Sequence, residues 1–298
     1  MEQKRYRVGV LMGGISSERD ISLASGQAVA AALAQYGHDV HSIMVDDTSL
    51  VWDNSLEVAF IALHGHYGED GTIQRYLESI QVPFTGSSSL SAECSFDKVR
   101  TRERLTQAGL PVPRGELIRR SQERTLSFPL VIKPPREGSS VGCAIVEHEA
   151  DWEEAYLITS ALDHAVLVEE YIAGRELTVG IVGDEILPII EIVPTGSWFD
   201  FDAKYRSDQT RYEIPAQLEP QLTHAIKEMA KNVYDELGAA GCARVDFRLD
   251  ESNHPFVLEL NSIPGFTPKS LLPKAAAAAG ISFPELCDRV VQEAINPS

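Results

Sequence analysis

Two runs, Ala243-Arg244-Val245-Asp246-Phe247-Arg248-Leu249 and Phe256-Val257-Leu258-Glu259-Leu260-Asn261, alternate apolar and polar residues. Only the turn-rich Asp250-Glu251-Ser252-Asn253-His254-Pro255 separates them. Alternation at period two describes a strand with one buried and one wet face. So short a linker leaves each strand the other as its nearest partner, in an antiparallel hairpin. Pairing centred on Ser252 and Asn253 sets Val245 opposite Leu260, Phe247 opposite Leu258 and Leu249 opposite Phe256, six apolar side chains on one buried face. The same register puts Arg244 opposite Asn261 and Asp246 opposite Glu259 on the other face. Two carboxylates directly across a strand pair repel each other, and a cation between them removes that penalty. The donors are all hard oxygen, which suits magnesium or manganese better than zinc. Magnesium commonly takes one or two carboxylates and completes its shell with phosphate oxygens, so a nucleotide is implied. The competing reading is an amphipathic hairpin with a solvated polar face.

The chain around this hairpin has 298 residues, enough for two or three domains with a substantial buried core. Its texture changes twice, giving expected domains of 1–95, 96–175 and 176–298. In the first, strands at 8–12, 40–45 and 58–63 alternate with polar loops and a helix from about 18 to 36. That alternation predicts a parallel sheet with helices on both faces, whose ligands bind in loops past the carboxyl ends of the strands. The second is read as a helix at 96–108, a strand at 130–133, a Gly/Ser loop, another strand, a helix at 149–161 and a strand at 166–171. The third begins with strands at 177–182 and 186–193. An aromatic-rich stretch at 195–212, a helix near 220–237, the hairpin and two terminal helices follow. The fold class is therefore α/β, with α+β character in part.

Composition narrows the function. Hydrophobic residues make up 44% and charged residues 23% of the chain, and the net charge is −18. Such a surface repels nucleic acid and anionic lipid, so any bound anion must be held by a local group of cations, amides or metal. Four cysteines lie far apart with no C-x-x-C pair, which suggests free thiols in a reducing cytoplasm rather than a disulfide framework or zinc knuckle. No signal peptide is read at the start, and no apolar run is long enough for a membrane span.

Several other segments have chemistry in them. Lys133 ends an apolar strand and precedes Arg136-Glu137-Gly138-Ser139-Ser140-Val141-Gly142, a loop offering amides and hydroxyls to phosphate oxygens. The order differs from G-x-x-x-x-G-K-[ST], because the lysine comes first; the plain alternative is a hairpin turn. His64-Gly65-His66-Tyr67-Gly68-Glu69-Asp70-Gly71 sits at the mouth of the parallel sheet and reads as a substrate loop. Its two histidines lack a third zinc ligand at a recognisable spacing. Gly13-Gly14 opens the first helix without the third glycine of a dinucleotide fingerprint. Glu18 there either complements the helix dipole or receives a substrate ammonium group. Glu169, Glu170, Tyr171 and Ile172 end a strand whose backbone could meet an adenine edge, with Glu176 near a ribose; a domain linker is the alternative. Thr195 to Tyr205 is aromatic enough for a lid that excludes water, or for a segment packed against the body.

Taken in order, these segments resemble the D-alanine–D-alanine ligase family of the ATP-grasp superfamily. The resemblance covers essentially the whole chain: Gly13-Gly14, Ser17-Glu18-Arg19 and Ser22; His64-Gly65 and Gly68-Glu69-Asp70-Gly71; Asp97-Lys98; Lys133-Pro134 with the Gly/Ser loop; Ala203-Lys204-Tyr205; Arg244 and Asp246; Glu259 and Asn261; Pro264-Gly265-Phe266-Thr267 and Ser270-Leu271. It implies a three-domain ATP-grasp architecture whose first domain is the parallel sheet. By this resemblance Lys98 and Lys133 hold ATP phosphates, Glu169, Glu170, Tyr171 and Ile172 contact adenine, and Glu176 contacts ribose. Lys204 reaches the γ-phosphate from the lid, and Asp246, Glu259 and Asn261 bind two magnesium or manganese ions. Glu18, linked to Ser139 and Tyr205, receives the ammonium of a first D-alanine near His64; Ser270 and Leu271 hold the carboxylate of a second. Arg244 and the Gly265 amide stabilise an oxyanion.

The implied reaction joins two D-alanines through an acyl phosphate, for peptidoglycan precursors, in a cytoplasmic homodimer with no nucleic-acid or membrane partner. Lys269 stands where many relatives have histidine, which implies altered tuning of the second subsite. Tyr205 favours the dipeptide over a D-alanyl-D-lactate product. The alternatives are the depsipeptide ligase, another ATP-grasp carboxylate–amine ligase, a dinucleotide-dependent oxidoreductase and a nonenzymatic nucleotide-binding module.

Overall fold

The computed structural model describes residues 4–119, 122–193 and 210–296. Among the described residues, three separate sheets organise the chain. The first is parallel: β1 (Arg7–Gly13) lies between β2 (Asp39–Val45) and β3 (Val58–Ile61). Its alternate residues feed two cores. Val8, Val10, Met12 and Phe60 pack with Val29 and Leu33 of α1 (Arg19–Tyr36), while Leu11, Ala59 and Ile61 pack with Ile73 and Leu77 of α2 (Thr72–Ser79). Burial on both faces explains why these strands read as continuous apolar runs. Helix α1 can lie close on β1 because of Gly26, where a Cβ would sit 2.4 Å from the Met12 Cβ.

The helix expected at 96–108 is present, and a separate short helix precedes it. Helix α3 (Ser89–Phe96) ends at Asp97, whose extended backbone turns the chain, and α4 (Lys98–Gln107) starts immediately afterwards. The Asp97 carboxylate accepts hydrogen bonds from the Val99 and Arg100 amides, so it serves as the N-cap of the second helix. The cap aims the first residue of α4, Lys98, toward the interior.

The second sheet is antiparallel, in the order β4 (Gly115–Arg119), β7 (Ala165–Glu170), β5 (Leu130–Lys133), β6 (Ala144–Val146). Helix α5 (Glu149–Ser160) covers one face through Trp152, Ala155 and Tyr156. The third sheet runs β11 (Arg211–Glu213), β10 (Ile190–Val193), β8 (Arg175–Val182), β12 (Cys242–Leu249), β13 (Pro255–Asn261), with β9 (Glu185–Ile186) beside β8. The strand expected at 186–193 is thus broken into β9 and β10. Pro188 lies in the break and has no N–H to give a ladder. Helix α6 (Pro220–Glu236) packs Ile226, Ala230 and Val233 against Val179, Val245 and Phe247.

Helices α7 (Leu271–Ala278) and α8 (Phe283–Ile295) return the chain to the first sheet, where Leu286, Val290 and Val291 share the core of Val29 and Leu33. A buried polar contact marks this return: His38 Nε2 lies 2.9 Å from Asp288 Oδ1, and the Tyr6 amide donates to His38 Nδ1. Among the described residues no helix is long and apolar enough to cross a membrane. None of the four cysteines is in a disulfide.

The β12–β13 register is as read at one end and not at the other. Arg244 pairs with Asn261, Val245 with Leu260 and Asp246 with Glu259; then the ladder slips, and Phe247 pairs with Val257, Arg248 with Phe256 and Leu249 with Pro255. One extra residue on β13 is a β-bulge, which reverses the faces beyond it. Val257 takes the core place expected for Leu258, and Phe256 and Leu258 are only half-buried. The expected six-residue apolar face is corrected accordingly.

Candidate active site

Two adjoining cavities lie between the sheets, and Ser139 and Glu259 line both. The first is bounded by Lys98, Lys133, Glu169, Tyr171, Ile172 and Glu176, with Glu170 at its edge and Leu258 and Ile145 as apolar walls. The bulge is what turns Leu258 into this cleft. The second, about 680 Å³, is bounded by Glu18, His64, Arg244, Asn261, Gly265 and Ser270, with Leu271 and Lys269 at one end. Lys204 and Tyr205 lie outside the described residues; every other residue that the resemblance gives a site role borders one of these spaces, whereas His66, Asp70 and Arg136 line a separate cavity.

In the first cleft, the cations are held on carboxylates. Lys98 Nζ donates to the Glu137 carbonyl at 2.7 Å and lies 3.4 Å from Glu259 Oε2. Burial alone would depress the Lys98 ammonium, but Glu259 and its neighbours outweigh burial and raise it. Lys133 Nζ is 2.5 Å from Glu169 Oε2, and Arg102 Nη1 is 2.5 Å from Glu169 Oε1. The Glu169 side chain, 3% exposed, therefore faces cations. Glu170 points away, accepting from the Arg114 amide. Glu176 faces Arg248, whose Nε also donates to the Ile172 carbonyl.

The polar face of the hairpin meets both cavities, Asp246 at the first, Arg244 and Asn261 at the second and Glu259 at each. Asp246 accepts from Arg244 Nε and Nη2 at 2.9 and 2.8 Å, from Thr178 Oγ1 at 2.6 Å and from Asn261 Nδ2 at 3.0 Å. Arg244 thus balances Asp246 while Lys98 balances Glu259, so the repulsion inferred from the register has protein cations to oppose it. The remaining donor set is two carboxylates and one amide. Among the described residues no group of three His, Cys, Asp or Glu could hold a metal.

The Gly/Ser loop closes over Glu18. Ser139 Oγ donates to Glu18 Oε1, and both Ser139 and Ser140 have positive φ, 51° and 58°, which costs about 1 kcal/mol or more per residue. Glycine is required alongside: a Cβ on Gly138 or Gly65 would lie 2.6 or 2.8 Å from Glu18 Oε2. Glu18 occupies the N-cap position of α1 but makes no side-chain cap bond. Below it runs a buried chain, Glu69–His64–Ser25, with His64 Nδ1 3.3 Å from Glu69 Oε1 and Nε2 3.3 Å from Ser25 Oγ; the latter accepts from the Phe266 amide. Burial would lower the His64 pKa, but the hydrogen bond and charge of Glu69 and the charge of Glu18 raise it. Glu69 is raised by burial and by Glu18.

Sequence reasoning missed Arg102, Arg248, Thr178 and Leu258. Two carried a signal: Arg102 is four residues after Lys98 on one helix face, and Arg248 continues the alternation of Arg244 and Asp246. Thr178 comes from a neighbouring strand and Leu258 from the bulge, and neither has a local pattern.

The sequence pattern of the family described as "D-ala D-ala ligase C-terminus" matches residues 103–292, and that of "D-ala D-ala ligase N-terminus" matches 50–87. A D-alanine–D-alanine ligase of Syntrophotalea carbinolica is 44% identical over 97% of this chain and 96% of the relative. One from Bordetella pertussis is 43% identical over 99% and 96%. The crystal structure of a Bacillus anthracis D-alanine–D-alanine ligase complexed with ATP superposes with a TM-score of 0.86 at 31% identity, covering 97% of both chains. A second structure of the Bacillus anthracis ligase gives a TM-score of 0.87 at 33% identity.

Proposed function

The chain belongs to the D-alanine–D-alanine ligase family, and from that premise we propose that it uses ATP to join two D-alanines into D-alanyl-D-alanine. One observation carries this reading: the phosphate-type loop that borders the first cleft places Ser139 on Glu18, at the head of the second. A nucleotide γ-phosphate and an amino acid anchored on Glu18 would therefore meet where the cavities join, beside Glu259 and Arg244.

In this reading Lys98 and Lys133 receive the phosphates, the strand end from Glu169 to Ile172 meets adenine, and Glu176 meets ribose. Lys204 and Tyr205 would complete the site from the lid. Asp246, Glu259 and Asn261 would hold magnesium or manganese. Their all-oxygen chemistry fits a hard cation, which when bound neutralises phosphate charge. Glu18 holds the ammonium of the first D-alanine near His64. The carboxylate of that D-alanine takes the γ-phosphoryl group, giving an acyl phosphate and ADP. Ser270 and the backbone at Leu271 hold the second D-alanine, whose amine attacks the acyl carbon and gives up a proton to solvent; the C–N bond forms first, and the C–O bond to phosphate breaks as the tetrahedral oxyanion collapses. Arg244 and the Gly265 amide stabilise the oxyanion between these events. The expected domains 1–95, 96–175 and 176–298 accord with one sheet in each, and a cytoplasmic homodimer is part of the same proposal.

Phosphate release from ATP and magnesium tests it. D-alanine should support turnover and L-alanine should not. No release with D-alanine, or equal release with the L isomer, refutes the reading, and greater ligation of D-lactate than of D-alanine would move it to the depsipeptide ligase.

A further inference from the structure

We propose that Arg102 is a positioning residue for nucleotide binding: it neutralises Glu169 and so leaves the charge of Lys133 available to phosphate. The inference rests on the nucleotide reading of the first cleft. Glu169 is 2% exposed and stands between two cations, with Arg102 on one oxygen and Lys133 on the other, each at 2.5 Å. Lys133 is itself 7% exposed. A buried carboxylate needs one full positive charge close by. With Arg102 present, that need is met from the side away from the cleft, and Lys133 can turn to an incoming anion without leaving a bare buried charge. Without Arg102, Lys133 becomes the only counter-ion and is captured.

The fold supports this division of labour. Arg102 lies one turn beyond Lys98 on α4, on the same helical face. One rigid helix therefore places the first phosphate lysine directly and the second through Glu169. Arg102 is fixed in turn by donating to the Pro113 carbonyl at 2.6 Å, and its side chain is 13% exposed.

The test compares ligands that differ only in phosphate. Arg102→Gln keeps an N–H for Pro113 but removes the charge. ADP affinity should fall about tenfold or more, the value of one charge-assisted hydrogen bond, and adenosine affinity should not change. In turnover, KM for ATP should rise by the same factor while kcat stays within about threefold. Arg102→Lys should recover most of the loss. On a Glu169→Gln background, which has no carboxylate to capture Lys133, adding Arg102→Gln should change ADP affinity by less than about threefold, and this comparison still reads where Arg102→Gln alone does not fold. Unchanged ADP affinity in the single variant, equal losses of ADP and adenosine affinity, or the same tenfold loss on the Glu169→Gln background overturns the inference. Starting protein that binds no ADP overturns the nucleotide reading and this inference together.

Discussion

The Arg244–Asp246 pair should hold the polar face of the hairpin together before any ligand arrives, and a double-mutant cycle measures how strongly. The two side chains are 13% and 11% exposed, and Arg244 gives two of the four hydrogen bonds that Asp246 accepts. Breaking a buried pair costs about 3–5 kcal/mol. Arg244 borders an open cavity and can be partly rehydrated, so Asp246→Ala should cost about 3 kcal/mol, the lower end. Arg244→Met leaves Asp246 its bonds from Thr178 and Asn261 and should cost about 2 kcal/mol. The double variant should cost no more than Asp246→Ala alone, which makes the coupling about 2 kcal/mol. For a chain of this length unfolding as one unit, a loss of 3 kcal/mol lowers the thermal midpoint by about 5 °C. Urea unfolding followed by tryptophan fluorescence, with chelator and no nucleotide, gives the four free energies. Coupling below about 0.5 kcal/mol would show that the two residues do not hold each other and that the hairpin face is organised in some other way.

Glu259→Gln should abolish phosphate release while changing stability by about 1 kcal/mol or less, because Lys98 keeps the Glu137 carbonyl; a loss of several kcal/mol in urea unfolding would give Glu259 a structural role. The bulge makes a paired prediction. Val257→Ala should destabilise by about 2 kcal/mol with unchanged KM for ATP, whereas Leu258→Ala should raise that KM with little loss of stability; the opposite pattern restores the unbulged register. Glu69→Gln should lower the His64 pKa, read from its imidazole resonances by NMR, since burial then meets less opposition. The sign follows from linkage: a histidine raised in the folded state contributes stability that is fully present below its unfolded pKa and lost as pH rises through the folded one. Weakening the Glu69 contact should therefore reduce the stability lost on going from acid to neutral pH, and an unchanged pH profile would refute the contact.

Local pattern was enough to read the parallel sheet and its first helix, because strands buried on both faces and an amphipathic helix leave period and composition behind. It was also enough for the pairing of Asp246 with Glu259, since alternation fixes which residues share a face. Where the reading failed, the deciding term was not local. One extra residue on β13 exchanged Val257 for Leu258 in the core. The same limit applied to charge. Alternation brought the carboxylates together, but the cations that balance them come from α4 and from β12 itself, and Thr178 comes from β8. A sequence determines what each strand and helix presents on its faces, through side-chain periodicity and backbone preference. Which faces then meet, and so which buried charge finds which partner, is decided only when separate elements pack, because burial and pairing energies arise between segments distant along the chain.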